Sequence, residues 1–508
     1  MSSERMERRG DLNRREFLQW SAKAGAFVAG ASMTGLLGAG CATRTSVSAR
    51  KWNIVFILAD DLAWNQVRYM GITDFYETPN IDRIAREGMY FTDAYAAAPV
   101  CSPTRASVMT GKYPARLHIT DYIPGNSYPY ARLKTPKQAR ALPLEEVTLA
   151  EMLKRAGYVT GHFGKWHLNY DKNYKPGRPG DPGSQGFDVV LTTVKPKPNA
   201  DPERDAHHAV EITEHALRFI EENKDRPFFA YVSHHVVHRP IMESKDWVRR
   251  YKTKTRLDNP MHNPIMGAMI ERMDRGIGQI LDKLDELGLA DNTIVVFYSD
   301  NGNYKVLEDQ YPLRGGKAML YEGGIRVPLA IRWPGVVKPG SVCRVPVISN
   351  DFFPTFAEAV GVNPKVQNID GVSLIPVLTG GDRLNREALY WHYPHYHRQG
   401  FKPCGAIREG DFKLIEWYEP TLLGEPHQVD LYNLKEDIGE TTNLAEEMTE
   451  KARELREKLR QWRKAVGAQE MTVNPNYDPE RADWPEADQP PPAELAWNNQ
   501  VARYIRPE

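Results

Sequence analysis

Four strand-like runs, each followed at once by polar residues, constrain this chain most. They are Asn53–Leu58, Gly157–Phe163, Pro227–Ser233 and Thr293–Tyr298. Asn53–Leu58 is unbroken in its apolar character, as a strand buried on both faces must be. Helical stretches lie between the runs. Met266, Met269, Ile270, Met273, Ile277, Ile280, Leu281 and Leu284 trace one face of a long helix that ends near Gly288. That methionine stripe is core packing, not a cofactor box. The alternation predicts an α/β fold with a large mixed, mostly parallel sheet flanked by helices.

The character changes near residue 385. Ala406–Ile415 reads as two short strands about a Glu-Gly-Asp turn, and Asp430–Leu434 as another strand. Leu444, Met448, Ala452, Leu455, Leu459, Trp462 and Val466 recur at spacings of three and four, which predicts one amphipathic helix. A smaller C-terminal α+β subdomain of antiparallel strands and one long helix is expected. The predicted division is 1–49, 50–385 (catalytic), 386–470 (C-terminal subdomain) and 471–508, a proline-rich tail expected to be irregular.

Lys+Arg and Asp+Glu are both 66, so no basic excess points to nucleic acid. The first 49 residues read as an export signal. Asn13-Arg-Arg-Glu-Phe-Leu18 resembles a twin-arginine signal, and the Gly/Ala-rich run from Ala22 to Gly40 is too interrupted for a membrane span. Leu37–Cys41 looks like a lipoprotein processing site with Cys41 as the lipid-bearing residue; plain cleavage near Ala42 or Ala49 is the alternative. The expectation is an exported, periplasmic protein, membrane-associated only through such an anchor. Cys343 and Cys404 are left either to pair or to stay as buried thiols.

Asp60 and Asp61 directly follow the first strand, and Asp300-Asn301-Gly302 the fourth. Open α/β sheets collect sites beyond the carboxyl ends of their strands. Alone, each is an ordinary turn. Together they make an oxygen-only site that suits Ca²⁺ better than Zn²⁺. Cys101-Ser-Pro-Thr-Arg105 precedes a helical run. Ser102 is expected to cap that helix and Pro103 to sit in its first turn. Residue 101 then lies where free N–H groups favour an anion, with Arg105 pointing back at it. Gly164–His167 follows the second strand and His234–Pro240 the third. Leu313–Lys317 and Tyr321–Pro328 complete the set.

The Cys-Ser-Pro-Thr-Arg stretch, with its continuation Ala106–Gly111, resembles the signature of the type I sulfatases, in the alkaline phosphatase superfamily. The other motifs stand in that family's order, and the resemblance runs from about residue 52 to about 465. Asp437-Ile-Gly439 departs from the family's usual Asp-Pro-Gly. The resemblance implies that Cys101 is oxidised to formylglycine by a formylglycine-generating enzyme. One hydroxyl of the hydrated aldehyde attacks the sulfur of a sulfate ester, and the second later expels sulfate as the aldehyde re-forms. It implies one Ca²⁺ on Asp60, Asp61, Asp300, Asn301 and residue 101. It assigns Lys165 and Lys317 to sulfate oxygens, Arg105 to the same charge, His167 beside residue 101, and His238 to sulfate and the leaving oxygen. His234 and His235 fit that pattern less well and are expected to pack.

The implied function is hydrolysis of sulfate esters on polysaccharide or oligosaccharide. Tyr390–His397 brings three histidines and four aromatics together, which suits sugar recognition, and His395 is a candidate contact. Arg314 is a candidate for a neighbouring acidic sugar. The alternatives are a formylglycine-dependent phosphonate or phosphate monoester hydrolase, and an exported binder of sulfated glycans in which Cys101 is never converted.

Overall fold

All seven residues of β1 (Asn53–Ala59) are buried. The strand pairs in parallel with β7 (Phe228–Ser233) and β8 (Thr293–Ser299), so Val55 stands opposite both Ala230 and Val295. A strand with neighbours on both edges and packing on both faces has no side left for solvent, hence its unbroken apolar run. The computed structural model describes residues 51–484 except 172, 255–258, 306 and 400. The expected export segment, including Cys41, and the tail beyond 484 lie outside the described residues.

β5 (Val159–Gly164) and β6 (Val189–Thr192) extend the parallel part beyond β7. On the far side, β9 (Leu329–Arg332) runs antiparallel to β8 and to β2 (Met89–Phe91), and β10 (Ser341–Cys343) is parallel to β2. The eight-stranded order is β10-β2-β9-β8-β1-β7-β5-β6. This is the mixed, mostly parallel sheet that the strand runs predict.

Alternate residues of β1 feed two cores. Ile54, Phe56 and Leu58 pack with Phe352 and Phe356, and the Phe56 and Phe352 rings meet edge-on at 5.0 Å. Val55 and Ile57 pack on the other face with Met269, Met273 and Ile277, which belong to the helix Pro264–Glu286. Asn263 caps that helix, its side chain accepting from the amides of Ile265 and Met266. Burying each large apolar side chain contributes roughly 1.5–3 kcal/mol.

The second sheet is antiparallel, in the order β12 (Ala388–Tyr393), β13 (Cys404–Glu409), β14 (Phe412–Trp417), β15 (Val429–Asn433). The helix Thr449–Ala465 covers it, with Ala452, Leu455 and Leu459 on Ile407, Leu414 and Leu431. The helix starts later than its apolar period suggests, because the Leu444 amide is tied to the Leu431 carbonyl at 2.8 Å. Between the two sheets, Lys413 Nζ stands 2.9 Å from both Glu322 Oε1 and Glu440 Oε1, all three buried.

Two short pairs close the fold: β3 (Ala94–Tyr95) with β11 (Val347–Ile348), and β4 (Leu133–Lys134) with β16 (Thr472–Val473). In the second, the start of the tail lies along β4. Met471 is buried, and the Asn474 side chain donates to the carbonyls of Pro129 and Ala131. Cys343 and Cys404 are free buried thiols in different sheets, so they do not pair. Among the described residues no helix is long and apolar enough to cross a membrane.

Candidate active site

The strands β1, β5, β7 and β8 are parallel neighbours, so the residues leaving their carboxyl ends meet at one edge. Asp60 and Asp61 leave β1, Asp300 and Asn301 leave β8, Lys165 leaves β5 and His238 follows β7. The Asp61 amide donates to Asp300 Oδ1 at 3.1 Å. Asn301 Nδ2 donates to Asp61 Oδ1 at 2.7 Å. Asp61 has φ 63° and His167 φ 58°. Such left-handed backbone is costly for side chains of this kind and gathers at functional sites.

The helix Cys101–Thr110 is buried throughout and starts at Cys101 itself, with Val100 as its cap residue and no side-chain cap. Ser102 therefore does not cap it; Ser102 Oγ instead accepts from the Ile123 amide at 3.0 Å. Pro103 sits in the first turn as expected. Without a side-chain cap, the first-turn N–H groups remain available to an anion. Cys101 Sγ lies 3.4 Å from Asp60 Oδ1, 3.9 Å from Asp61 Oδ1 and 3.3 Å from Lys317 Nζ. Burial pushes its thiol up to about 12, against the pull of Lys165 and Lys317. An unmodified thiol there is a poor nucleophile at neutral pH.

Three buried cations face the three carboxylates. Lys165 Nζ donates to Asp60 at 2.8 and 2.7 Å. Lys317 Nζ donates to Asp61 Oδ1 at 2.5 Å. Arg105 Nε donates to Asp300 Oδ2 at 2.8 Å, and its Nη1 to Ser233 Oγ and the Lys165 carbonyl at 2.6 and 3.1 Å. Arg105 thus points back as expected, but its guanidinium holds Asp300 and the ends of β5 and β7. Burial works to raise the Asp60 carboxyl, yet the cations around it, Lys165 first and then Arg105 and Lys317, outweigh it and hold it well below the usual range. Asp300 goes the other way: burial raises it in spite of Arg105.

His238 Nδ1 bonds the Arg239 carbonyl at 2.7 Å, so it carries the proton, and Nε2 lies 3.8 Å from Asp61 Oδ2. Burial and Lys317 hold the ring neutral. His167 Nε2 bonds the Ile123 carbonyl at 2.8 Å, while its buried Nδ1 has no protein partner. Burial and Lys165 keep it neutral too. His234 is fully buried, and His235 Nε2 lies 3.0 Å from Thr193 Oγ1.

Donor atoms of Asp60, Asp61, Cys101 and His238 lie within 4.8 Å of one another, the one such group among the described residues. Two buried oxygens here, Asp61 Oδ2 and Asn301 Oδ1, accept no hydrogen bond. An orphaned carboxylate and an orphaned amide oxygen beside two further carboxylates fit a hard divalent cation.

Both candidate substrate contacts have protein partners. Arg314 Nη1 donates to the Glu440 carbonyl at 2.7 Å and Tyr432 Oη at 3.1 Å, and its guanidinium lies 4.0 Å from the Tyr321 ring centroid. The residue is exposed. His395 is buried, with Nε2 2.7 Å from Thr120 Oγ1. Two residues without a motif of their own join the site. Ser233, the last residue of β7, bridges Arg105 and Lys165. Tyr304 places its ring 4.9 Å from Lys317 Nζ and edge-on to His238 at 6.3 Å.

Known proteins resemble this chain in sequence and fold. The Sulfatase family matches residues 52–362, and the family described as N-sulphoglucosamine sulphohydrolase, C-terminal, matches 315–465. A sulfatase of Formosa agariphila is 32% identical over 78% of this chain and 85% of its own length. Human N-acetylgalactosamine-6-sulfatase is 32% identical over 67% of this chain and 68% of its own. The solved structure of Ps i-CgsB in complex with k-i-k-neocarrahexaose superposes with a TM-score of 0.68 at 26% identity, over 86% of this chain and 97% of that one. With Cys101 at a buried helix start between carboxylates and lysines, the chain belongs to the sulfatase family and is a sulfuric ester hydrolase.

Proposed function

We propose that the protein hydrolyses sulfate esters of carbohydrate chains, using formylglycine made from Cys101 and one calcium ion. One observation carries this reading: residue 101 stands at a helix start within 3.3–3.9 Å of Lys317, Asp60 and Asp61. Formylglycine would supply a hydrated aldehyde, whose two hydroxyls serve first as nucleophile and then in release of sulfate. Calcium on Asp60, Asp61, Asp300 and Asn301 would supply fixed positive charge beside residue 101. Lys165 and Lys317 would bind the sulfate oxygens as their charge grows. Lys317 would return the proton to the leaving oxygen, since His238 is neutral and its one proton is committed to the Arg239 carbonyl. Neutral His167 offers Nδ1 as the acceptor for a proton leaving residue 101. Arg105 keeps Asp300 oriented.

Carbohydrate is the proposed substrate because a relative is named for N-acetylgalactosamine-6-sulfate chemistry and a similar structure was solved with neocarrahexaose. The N-terminal sequence supports export through a twin-arginine signal, with Cys41 as a lipid anchor. Side-by-side turnover of sulfated oligosaccharides, an aryl sulfate and an aryl phosphate tests the reading. Glycan desulfation faster than phosphate release is expected; phosphate release as the dominant activity, or no desulfation of any glycan, contradicts it.

A further inference from the structure

The loop that carries Lys317 does not hold its shape by local preference. Gly315 has φ 77° and Ala318 φ 70°, so left-handed backbone stands on both sides of the lysine. Glycine adopts it freely, but for alanine it is costly and persists only where the surroundings impose it. Two main-chain bonds, from the Lys317 amide to Asn303 and from the Ala318 amide to Pro99, fix the middle of the loop. The short helix Glu322–Ile325 lies against its back. The Gly323 amide donates to the Arg314 carbonyl at 2.8 Å. A Cβ on Gly324 would fall 2.0 Å from the Met319 carbonyl oxygen and 2.5 Å from that of Gly316, so main chain rests on main chain with no side chain between. Packing of that kind passes a shift of Glu322 directly to the loop.

One residue outside the eight-stranded sheet holds both ends of the loop. Glu440, buried on the turn after β15, accepts from the Glu322 amide on Oε2 at 2.7 Å, across a separation of 118 residues. Its main-chain carbonyl accepts from Arg314 Nη1 at 2.7 Å. Lys413 Nζ, 2.9 Å from Oε1, fixes the carboxylate. The turn is itself braced, because Asp437 Oδ2 accepts from the amides of Thr441 and Thr442 at 2.8 and 2.9 Å. Gly439 approaches the start of the loop so closely that a Cβ there would stand 3.2 Å from the Pro312 carbonyl oxygen.

We infer that Glu440 is a positioning residue for the reaction, clamping Arg314 and Glu322 so that the loop between them holds Lys317 Nζ against residue 101. The inference rests on the sulfatase reading and deepens it. Glu440 acts through Lys317, which serves charge that grows in the transition state, so its removal acts on kcat rather than KM.

The test is a double-mutant cycle in full-length, formylglycine-bearing enzyme, with turnover scaled to aldehyde and metal content. Glu440→Ala takes the acceptor from the Glu322 amide. It should lower kcat roughly 10- to 100-fold with little change in KM, as a misplaced catalytic group does. Glu440→Gln keeps an oxygen for that amide and should recover most of the kcat. In a Lys317→Ala background, Glu440→Ala should change kcat by no more than about twofold, although it lowers the melting temperature as much as it does in wild type. A residue that only stabilised the fold would not lose its effect with Lys317. Arg314→Ala, at an exposed position, should give a smaller fall in kcat that also vanishes in the Lys317→Ala background, and it decides the matter if Glu440→Ala does not fold. An unchanged kcat, or a fall that multiplies in full with that of Lys317→Ala, overturns the inference and leaves the sulfatase reading intact. Wild-type enzyme that cleaves no sulfate ester overturns both.

Discussion

Lys317 Nζ lies 3.3 Å from Cys101 Sγ, across a separation of 216 residues. The position is held from both sides. The Lys317 amide donates to the Asn303 carbonyl, and the next amide, of Ala318, to the Pro99 carbonyl, each at 2.8 Å. The loop after β8 and the approach to the Cys101 helix thus fix one ammonium against one reactive atom.

Lys165→Ala and Lys317→Ala should each lower kcat roughly 100- to 1,000-fold, the effect of removing one preorganised donor from a transition state. Steady-state kinetics on a sulfate ester separate the effects. An unchanged kcat with a raised KM would move that lysine to ground-state binding.

Exhaustive chelation should abolish turnover, and added calcium should restore it. Asp61→Asn and Asp300→Ala should both lower metal content, read by elemental analysis against one calcium per chain. Full activity in metal-free enzyme would remove the ion from the account.

Lys413→Met leaves Glu322 and Glu440 facing each other in a buried seam. Stripping a buried ion pair of one partner costs about 3–5 kcal/mol, which denaturant unfolding would detect. Adding Glu440→Gln should recover part of the loss. No change in stability would show that the seam relaxes or takes in water.

Glu308 accepts from Gln66 Nε2 at 2.7 Å and also bonds the Tyr76 hydroxyl. Burial raises its carboxyl from 4.5 to about 8. The folded state therefore keeps a proton that the unfolded chain gives up. Its stabilising share is fully present below the unfolded value and is lost as pH rises through the folded one. Glu308→Gln should flatten the fall in melting temperature from about pH 5 to about pH 8. An unaltered slope would contradict this.

The sequence exposes what is apolar or motif-bearing. β1 and β8 are legible because burial on both faces leaves each an apolar run. β2, β9 and β10, three or four residues each, carry too little pattern to be read. Asp60, Asp61, Cys101, Asp300 and Lys317 are legible as motifs, and the structure brings them together. The partners of Arg314, Tyr432 and Glu440, lie more than 100 residues away, so the sequence does not show them. Ser102 misleads because the helix begins two residues sooner than a cap at 102 requires, and the Ile123 amide donates to its hydroxyl.

The most direct test is peptide mass spectrometry of residue 101, done on the same enzyme sample whose turnover is measured. The enzyme is made with and without a formylglycine-generating enzyme. An aldehyde at 101, trapped by a hydrazide, is expected in proportion to activity. Full turnover from chains carrying only the unmodified Cys101 thiol would contradict it.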